Sequence, residues 1–215
     1  MKKNIFYWSP CLNPVGTIKS TINSATSLKK FNSNYDVSII NVCGEWDDYK
    51  ETLNKNSINL IDLSFKYYKI LPKRGFLGSR ISYILIFILS FFPLILMLKK
   101  RKPNKIILHL ITSLPLLLLK LFNFKTEFIL RISGYPRLNK IRKIFWKYIS
   151  DEIKIITCPT LDLKKKLENQ NIFNQKKLYY LPDAIIKIKN FEKKNEIPSD
   201  LSMINNKRII LSAGR

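Results

Sequence analysis

Two arginines flank a short turn in the middle of the sequence, and they are the side chains best suited to hold an anion. Arg131 lies near the end of an apolar run and Arg137 follows shortly after it, on either side of Ser133-Gly134. A guanidinium group binds a phosphate or a carboxylate through two parallel hydrogen bonds. Ser133 adds a hydroxyl at the same turn. The pattern predicts an anion-binding corner; general surface charge is the alternative, and it suits Arg137 better than Arg131.

One histidine and one loop are the other candidates for binding or chemistry. His109, the only histidine, lies within the short apolar run Ile106 to Leu110 and is either a core residue or part of a site. The loop after the first apolar run contains Asn13 and ends at Gly16, where a helix is predicted to begin. A glycine there lets a backbone approach a phosphate and leaves helix N–H groups free to bind it, or it simply makes the turn.

Other kinds of site are disfavoured by what the sequence lacks. It contains no Gly-x-Gly-x-x-Gly, P-loop or Gly-x-Ser-x-Gly motif. Cys11, Cys43 and Cys158 are scattered, so with one histidine they predict no transition-metal site of the usual kind and free thiols in a reducing cytoplasm. No cofactor is expected. Glu45, Asp47 and Asp48 cluster after the second predicted strand, but no other carboxylate is expected to pair with them. Catalysis by a pair of carboxylates is therefore doubtful.

The net charge predicts an anionic partner. The chain has 38 Lys and Arg against 15 Asp and Glu, a formal charge of +23. Between Lys99 and Lys147 there are 13 basic residues and one acid, Glu127. A coding bias toward Lys, Asn and Ile accounts for part of this excess. The remainder indicates phosphate groups, nucleic acid or a membrane surface.

Alternating apolar runs and helical periods predict an α/β fold with a Rossmann-like parallel sheet and helices on both faces. The predicted strands are 5–8, 37–42, 59–63, 106–110, 128–132, 153–156 and 178–181. Helices are predicted at 17–31 and 138–148. A third is predicted through Pro115, with Thr112 or Ser113 as its N-cap, and a fourth follows the strand at 153–156, with Thr157 or Thr160 as its N-cap. Because ligands collect at the carboxyl ends of parallel strands, His109 and the Arg131–Gly134 corner should lie side by side, with Gly16 facing them.

The segment Ile81 to Leu98 is nearly uncharged and long enough to raise the question of a membrane span. Three features favour a buried or membrane-touching crossover helix instead. Basic residues flank both ends, so the positive-inside rule assigns no orientation. Pro93 is expected to interrupt the helix, and the strand at Ile106 must rejoin the sheet of the first strand.

A second segment combines apolar and basic residues at helical spacing. Leu138, Ile141, Phe145 and Tyr148 form one stripe, and basic residues fill the other faces. This pattern is typical of a helix on an anionic lipid surface, and equally of a solvated outer helix.

Domain organisation is predicted from the change of composition near the C-terminus. We expect residues 1–187 to form one domain and the polar stretch 188–207 to be a linker. Residues 208–215 are strand-like and end in Gly214-Arg215, which we expect to open a second, C-terminal domain that is missing from this sequence.

The ordered motifs resemble the N-terminal half of a family 4 glycosyltransferase of the two-Rossmann (GT-B) type, of the sort that builds bacterial surface polysaccharides. They are Asn-Pro-Val-Gly16, Lys102-Pro-Asn-Lys-Ile-Ile-Leu-His-Leu-Ile-Thr-Ser-Leu-Pro, Leu130-Arg-Ile-Ser-Gly-Tyr-Pro, Leu181-Pro-Asp-Ala and Ser212-Ala-Gly-Arg. The resemblance implies transfer of a sugar from a nucleotide-sugar, with retention and without a metal, to an acceptor that is often lipid-linked. It places the protein in the cytoplasm, peripheral on the anionic inner face of the cell membrane, with no nucleic-acid partner.

The same resemblance assigns roles to individual residues. Gly16 and Arg215 match positions that bind the donor diphosphate. Ser133 stands where many members carry a histidine near the transferred sugar, so Ser133 or Arg131 is the expected catalytic residue. Acceptor contacts are expected from Asn13, His109, Tyr135 and Arg137. We expect the chain by itself to turn over little or nothing; the alternative is a basic membrane- or nucleic-acid-binding protein without catalytic activity.

Overall fold

The computed structural model describes residues 2–12, 16–63, 65–73, 75–109, 114–136 and 138–184. The strands are β1 (Lys3–Trp8), β2 (Tyr35–Asn41), β3 (Asn59–Asp62), β4 (Lys105–His109), β5 (Glu127–Arg131), β6 (Ile155–Cys158) and β7 (Leu178–Tyr180). The α-helices are α1 (Gly16–Phe31), α2 (Lys50–Lys55), α3 (Gly75–Arg101), α4 (Leu114–Leu121), α5 (Lys140–Ile149) and α6 (Leu161–Glu168). Three short 3-10 helices cover Asp47–Tyr49, Tyr68–Ile70 and Gln175–Lys177.

The strands form one parallel sheet in the order β3-β2-β1-β4-β5-β6-β7. The chain first adds strands on one side of β1 and then crosses through α3 to build the other side. The strand order therefore reverses between β1 and β4, which is where open α/β sheets leave a crevice at their carboxyl edge. The predicted fold class is confirmed. No predicted strand boundary is wrong by more than two residues, and β6 is shifted by two at both ends, since it covers Ile155–Cys158 and not 153–156.

The central strands are nearly continuous runs of buried residues because both faces of the sheet are covered by helices. One face buries Trp8, Ile106 and Phe128 beneath α3 to α6. The opposite face of β1 and β2 packs against α1 and α2 and buries Tyr7 and Ile39. Helices α5 and α6 each have a side-chain N-cap. The Asn139 side chain caps α5 by accepting from the N–H of Arg142 at 2.9 Å. Thr160, not Thr157, caps α6 by accepting from the N–H of Leu163 at 3.1 Å.

Helix α3 is a continuous element of 27 residues, and the expectation that Pro93 would interrupt it is wrong. Ile86, Leu94 and Leu98, on both sides of the proline, are almost completely buried against the sheet. This packing stabilises the helix at the position where Pro93, which has no backbone N–H, cannot donate a hydrogen bond. Ser82 and Ser90 are also buried, and their hydroxyls donate to the carbonyls of Pro72 and Ile86.

By length and composition alone, one helix in the part of the chain described here could span a membrane. This helix is Leu77–Arg101. Its 18-residue apolar stretch has a mean hydropathy of 2.6, and 39% of that stretch is buried within the protein. Residues up to Ala184 form a compact unit of their own. The predicted linker 188–207 and the strand-like segment 208–215 lie outside the described residues, so the predicted domain division stays a prediction.

Candidate active site

His109 and Arg131 lie directly opposite each other at the carboxyl ends of β4 and β5. On the other side of β4, Trp8 pairs with Leu108, so the end of β1 lies at the same edge. Helix α1 begins at Gly16 after the loop from β1, and its Thr21 contacts His109. The predicted meeting of His109 and Arg131 at one edge of the sheet is confirmed.

Arg131 is buried, and its guanidinium group is occupied by a partner within the chain. It forms an ion pair with Asp183, which follows β7, and donates a long hydrogen bond of 3.5 Å to the carbonyl of Leu181. Asp183 also accepts from the hydroxyl of Ser20 at 2.5 Å, so α1, β5 and the segment after β7 are tied together. Partial burial pushes the pKa of Asp183 upward, but the bonds from Ser20 and Arg131 outweigh it and the pKa is lowered.

Sequence reasoning missed Asp183 as the partner of Arg131, although a signal for it was present. An arginine inside an apolar strand must find an anion once it is buried, because an unpaired buried charge is costly. Asp183 stands in Leu181-Pro-Asp-Ala, directly after a predicted strand and therefore at the same edge of a parallel sheet. The catalytic role predicted for Arg131 stays a prediction, and the structure adds a role in tying three elements together.

The two partners of this ion pair should respond unequally to mutation. Asp183→Asn leaves the buried guanidinium without its charge partner, and we expect it to lower the free energy of unfolding by about 1 to 3 kcal/mol. This range lies below that for fully buried pairs because the Asp183 side chain is 51% exposed. Arg131→Met removes the buried charge and should cost less than about 1 kcal/mol. Urea denaturation of both variants and the double variant measures this; a larger cost for Arg131→Met than for Asp183→Asn would contradict it.

His109 is completely buried beneath α1 and is neutral at physiological pH. The Thr21 hydroxyl donates to the carbonyl of Thr17 at 2.8 Å, and it lies 3.3 Å from the hydroxyl of Ser9 and 3.4 Å from Nε2 of His109. The Nδ1 atom has no hydrogen-bond partner among the described residues. Burial, and then the charge of Arg131, lower the pKa of His109 to about 4. Its predicted contact with an acceptor stays a prediction.

The open part of the carboxyl edge is formed by the turn after β5 and the start of α1. Ser133 and Gly134 are exposed, and the Tyr135 side chain is 50% exposed. Among the described residues, and apart from its chain neighbours and the backbone of α1, no atom lies within 4 Å of a Cβ built on Gly16, which leaves room for a ligand beside the first turn of α1. That turn carries no acidic residue. The other predicted site residues, Asn13, Arg137 and Arg215, lie outside the described residues.

The acids that follow β2 support the fold in this structure. Buried Glu45 accepts from the N–H groups of Val42 and Cys43 at 3.0 and 2.8 Å, and burial raises its pKa despite these bonds. Asp47 forms ion pairs with Lys66 at 2.9 Å and Lys50 at 3.3 Å. Within the residues described, no group of three or more His, Cys, Asp or Glu side chains is arranged to hold a metal ion.

Comparison with known proteins shows similarity in structure and none in sequence: no family model matches the chain, and no curated protein matches it. A glycosyltransferase from Rickettsia africae superposes with a TM-score of 0.60 at 17% identity, over 94% of this chain and 48% of its own. A protein assigned as a UDP-N-acetylglucosamine 2-epimerase from Listeria monocytogenes gives 0.58 at 12% identity, over 83% and 45%. The calicheamicin glycosyltransferase gives 0.54 at 8% identity, over 85% and 53%.

The chain therefore spans about half the length of the solved structures that it matches. At this level of identity the likeness establishes the fold. The described residues form one Rossmann-like domain of the kind present in GT-B glycosyltransferases and in the epimerase.

Proposed function

We propose that this chain is the acceptor-side domain of a retaining glycosyltransferase of family 4, which transfers a sugar from a nucleotide-sugar to a lipid-linked saccharide. The observation that carries the proposal is the match of its seven-stranded parallel sheet to about half of two glycosyltransferase structures. Of the motifs that resemble the family, the described parts that contain Gly16, His109, Arg131 to Tyr135 and Asp183 lie at the carboxyl edge of this sheet, where such folds bind ligands.

The residues exposed at the carboxyl edge indicate which part of each substrate this domain would bind. Exposed Ser133 and Tyr135 provide a hydroxyl and an aromatic ring beside a solvent-open corner, which suits a saccharide. The first turn of α1 has free space at Gly16 and no acidic residue, which suits a diphosphate. The donor nucleotide would be held mainly by a second domain.

In the proposed reaction the acceptor hydroxyl attacks the anomeric carbon on the face from which the diphosphate leaves. The new glycosidic C–O bond forms as the bond to the diphosphate oxygen breaks, and the acceptor proton passes to the departing diphosphate. Arg215 and the N–H groups at the start of α1 would stabilise the charge that develops on that group. Ser133 would lie beside the transferred sugar. We expect little or no turnover by this chain alone.

Saccharide binding at the exposed corner tests the proposal. Tyr135→Ala should weaken the binding of saccharides that carry a short alkyl anchor by roughly tenfold, or about 1.4 kcal/mol, because it removes the aromatic ring from the site. Tyr179→Ala on β7 is the matched control, since Tyr179 is 52% exposed and Tyr135 50%. Titration calorimetry measures both affinities. The proposal fails if no saccharide in a broad panel binds, or if both variants lose affinity equally.

The proposed location is the cytoplasmic face of the cell membrane, where a lipid-linked acceptor is embedded. The net charge of +23 supports an anionic surface as partner. The rival interpretation, a nucleic-acid-binding protein, rests on the same charge. The sequence contains no nucleic-acid-recognition motif, and its basic stretches alternate with buried strands.

A further inference from the structure

Helix α3 presents to solvent a continuous apolar stripe along its outer side. The side chains of this stripe are 36% to 72% exposed: Leu77, Ile81, Ile84, Leu85, Ile88, Phe92 and Leu96. Their spacing follows the helical period, so they share one face for about 28 Å, at 1.5 Å per residue. Monomeric soluble proteins rarely expose a contiguous apolar surface of this length.

A shorter apolar stripe on α5 lies on the same side of the sheet. Ile141, Ile144 and Tyr148 are 79%, 70% and 60% exposed, while Trp146 and Ile149 of the same helix are buried. Both helices pack on the face of the sheet that carries the larger apolar cluster, and α4 contacts each of them. We call the two stripes together the apolar outer face.

Contacts between the C-terminal ends of these helices join the two stripes. The Lys99 ammonium group lies 5.4 Å from the ring centre of Phe122, directly after α4. The Lys120 ammonium group of α4 lies 4.9 Å from the ring centre of Tyr148. The ends of α3, α4 and α5 therefore meet at one edge of the apolar outer face. Lys99 and Lys120 lie at that edge, where Lys120 also forms an ion pair with Glu152 at 2.9 Å.

The charged side chains of α3 and α5 are all cationic. Neither helix contains Asp or Glu, and each carries exposed basic residues. Those of α3 are Arg80, Lys99, Lys100 and Arg101, and those of α5 are Lys140, Arg142, Lys143 and Lys147. An apolar stripe bordered by cations is complementary to a bilayer that has an apolar interior and anionic headgroups. Two copies of the chain placed face to face would instead bring like charges together.

We propose that the apolar outer face docks on an anionic lipid bilayer, with α3 lying lengthwise in the headgroup–acyl boundary. A membrane span would require α3 to leave the sheet, which would remove Ile86, Leu94 and Leu98 from the core. It would also separate β3 from β4, which α3 connects within one sheet. Docking in the membrane plane keeps the inner side packed and buries the outer side.

Docking in this orientation gives the bilayer a defined position relative to the candidate site. Helix α3 follows β3 and precedes β4, so in a parallel sheet it begins at the carboxyl edge and ends at the amino edge. The bilayer would pass alongside the carboxyl edge, within reach of a lipid-linked acceptor. This consequence rests on the proposed function; the docking itself does not.

Vesicle co-sedimentation tests the docking without any saccharide. The stripe variant Ile84→Gln/Ile88→Gln/Phe92→Gln should bind vesicles of phosphatidylcholine and phosphatidylglycerol roughly tenfold or more weaker than the unmodified chain, because it removes exposed apolar area. The matched control is Phe31→Gln/Leu161→Gln/Tyr179→Gln, three exposed residues outside the apolar outer face, and it should bind within about twofold of the unmodified chain. Thermal unfolding monitors the fold of both variants.

The depth of α3 is measured by introducing single tryptophans, because the three native tryptophans are buried. Ile81→Trp, Ile88→Trp and Leu96→Trp should be quenched alike by lipids brominated near the headgroups. Strong quenching of Ile88→Trp alone by lipids brominated at the chain ends would indicate a span and overturn the proposal.

Three further outcomes also overturn the proposal. They are equal vesicle binding by the stripe variant and the unmodified chain, vesicle-independent dimerisation that the stripe variant abolishes, and preference for duplex DNA over anionic vesicles at physiological ionic strength. The vesicles carry no saccharide, so failure here is distinguishable from failure of saccharide binding at Tyr135.

Discussion

Leu94→Ala is expected to lower the free energy of unfolding by about 2 to 5 kcal/mol, whereas Leu96→Ala should change it by less than about 0.5 kcal/mol. The two leucines are neighbours in α3, but the first is completely buried and the second is 68% exposed. Removing the Leu94 side chain leaves a cavity between α3 and the sheet. Removing that of Leu96 leaves none, because solvent already surrounds it.

Urea denaturation in a mild detergent, followed by the fluorescence of the buried tryptophans, measures both changes. Leu96→Ala is the matched control, since it deletes the same atoms from the same helix. Equal and small effects would show that α3 does not pack on the sheet as the structure has it. A loss confined to Leu94→Ala would show that α3 is a crossover helix of this domain.

The stability of the domain is expected to fall as the pH drops from about 6.5 to about 4, by on the order of 3 kcal/mol, because of His109. Burial, and then the charge of Arg131, lower the pKa of His109 from 6.5 to about 4, and the smaller effect of Asp183 opposes them. Between these pH values the unfolded chain binds a proton on this side chain and the folded chain does not. The contribution is therefore fully present above about pH 6.5 and is lost as the pH approaches 4.

A His109→Gln variant isolates this contribution from the other titrating groups. Its free energy of unfolding, measured by urea denaturation across the same pH range, should lack the part of the slope that His109 supplies. The raised pKa of Glu45 remains in both proteins and cancels in the difference. Against the effect of partial burial, the pKa of Asp183 is lowered mainly by Ser20 and Arg131, which both proteins keep, and the effect of His109 is the smallest of its causes. An unchanged slope in the variant would show that His109 is not buried as a neutral side chain.

The candidate site and the apolar outer face give the proposed enzyme a consistent arrangement. The exposed corner at Ser133 and Tyr135 lies at the carboxyl edge of the sheet, and α3 begins at that same edge. A domain docked through α3 would hold its acceptor site beside the bilayer. Saccharide binding and vesicle binding test these two parts independently.

The part of the site that could be predicted from the sequence is the part that depends on strand order. His109 and Arg131 each lie near the end of an apolar run, and parallel pairing brings such ends to one edge whatever the remaining packing. Asp183 was missed because it reaches Arg131 only when β7 joins the sheet, more than fifty residues further along the chain. The contact of Thr21 with His109 likewise depends on how α1 lies across the strands.

By itself, the sequence determined the α/β architecture, because short buried strands and helical periods are local patterns that specify each element. It also determined that the protein is strongly basic. Only the tertiary structure decided which side of α3 is buried. That helix is apolar nearly all round, so its periodicity does not distinguish Leu94 from Leu96. Packing against the sheet makes the distinction, and it leaves one apolar side of α3 open to solvent.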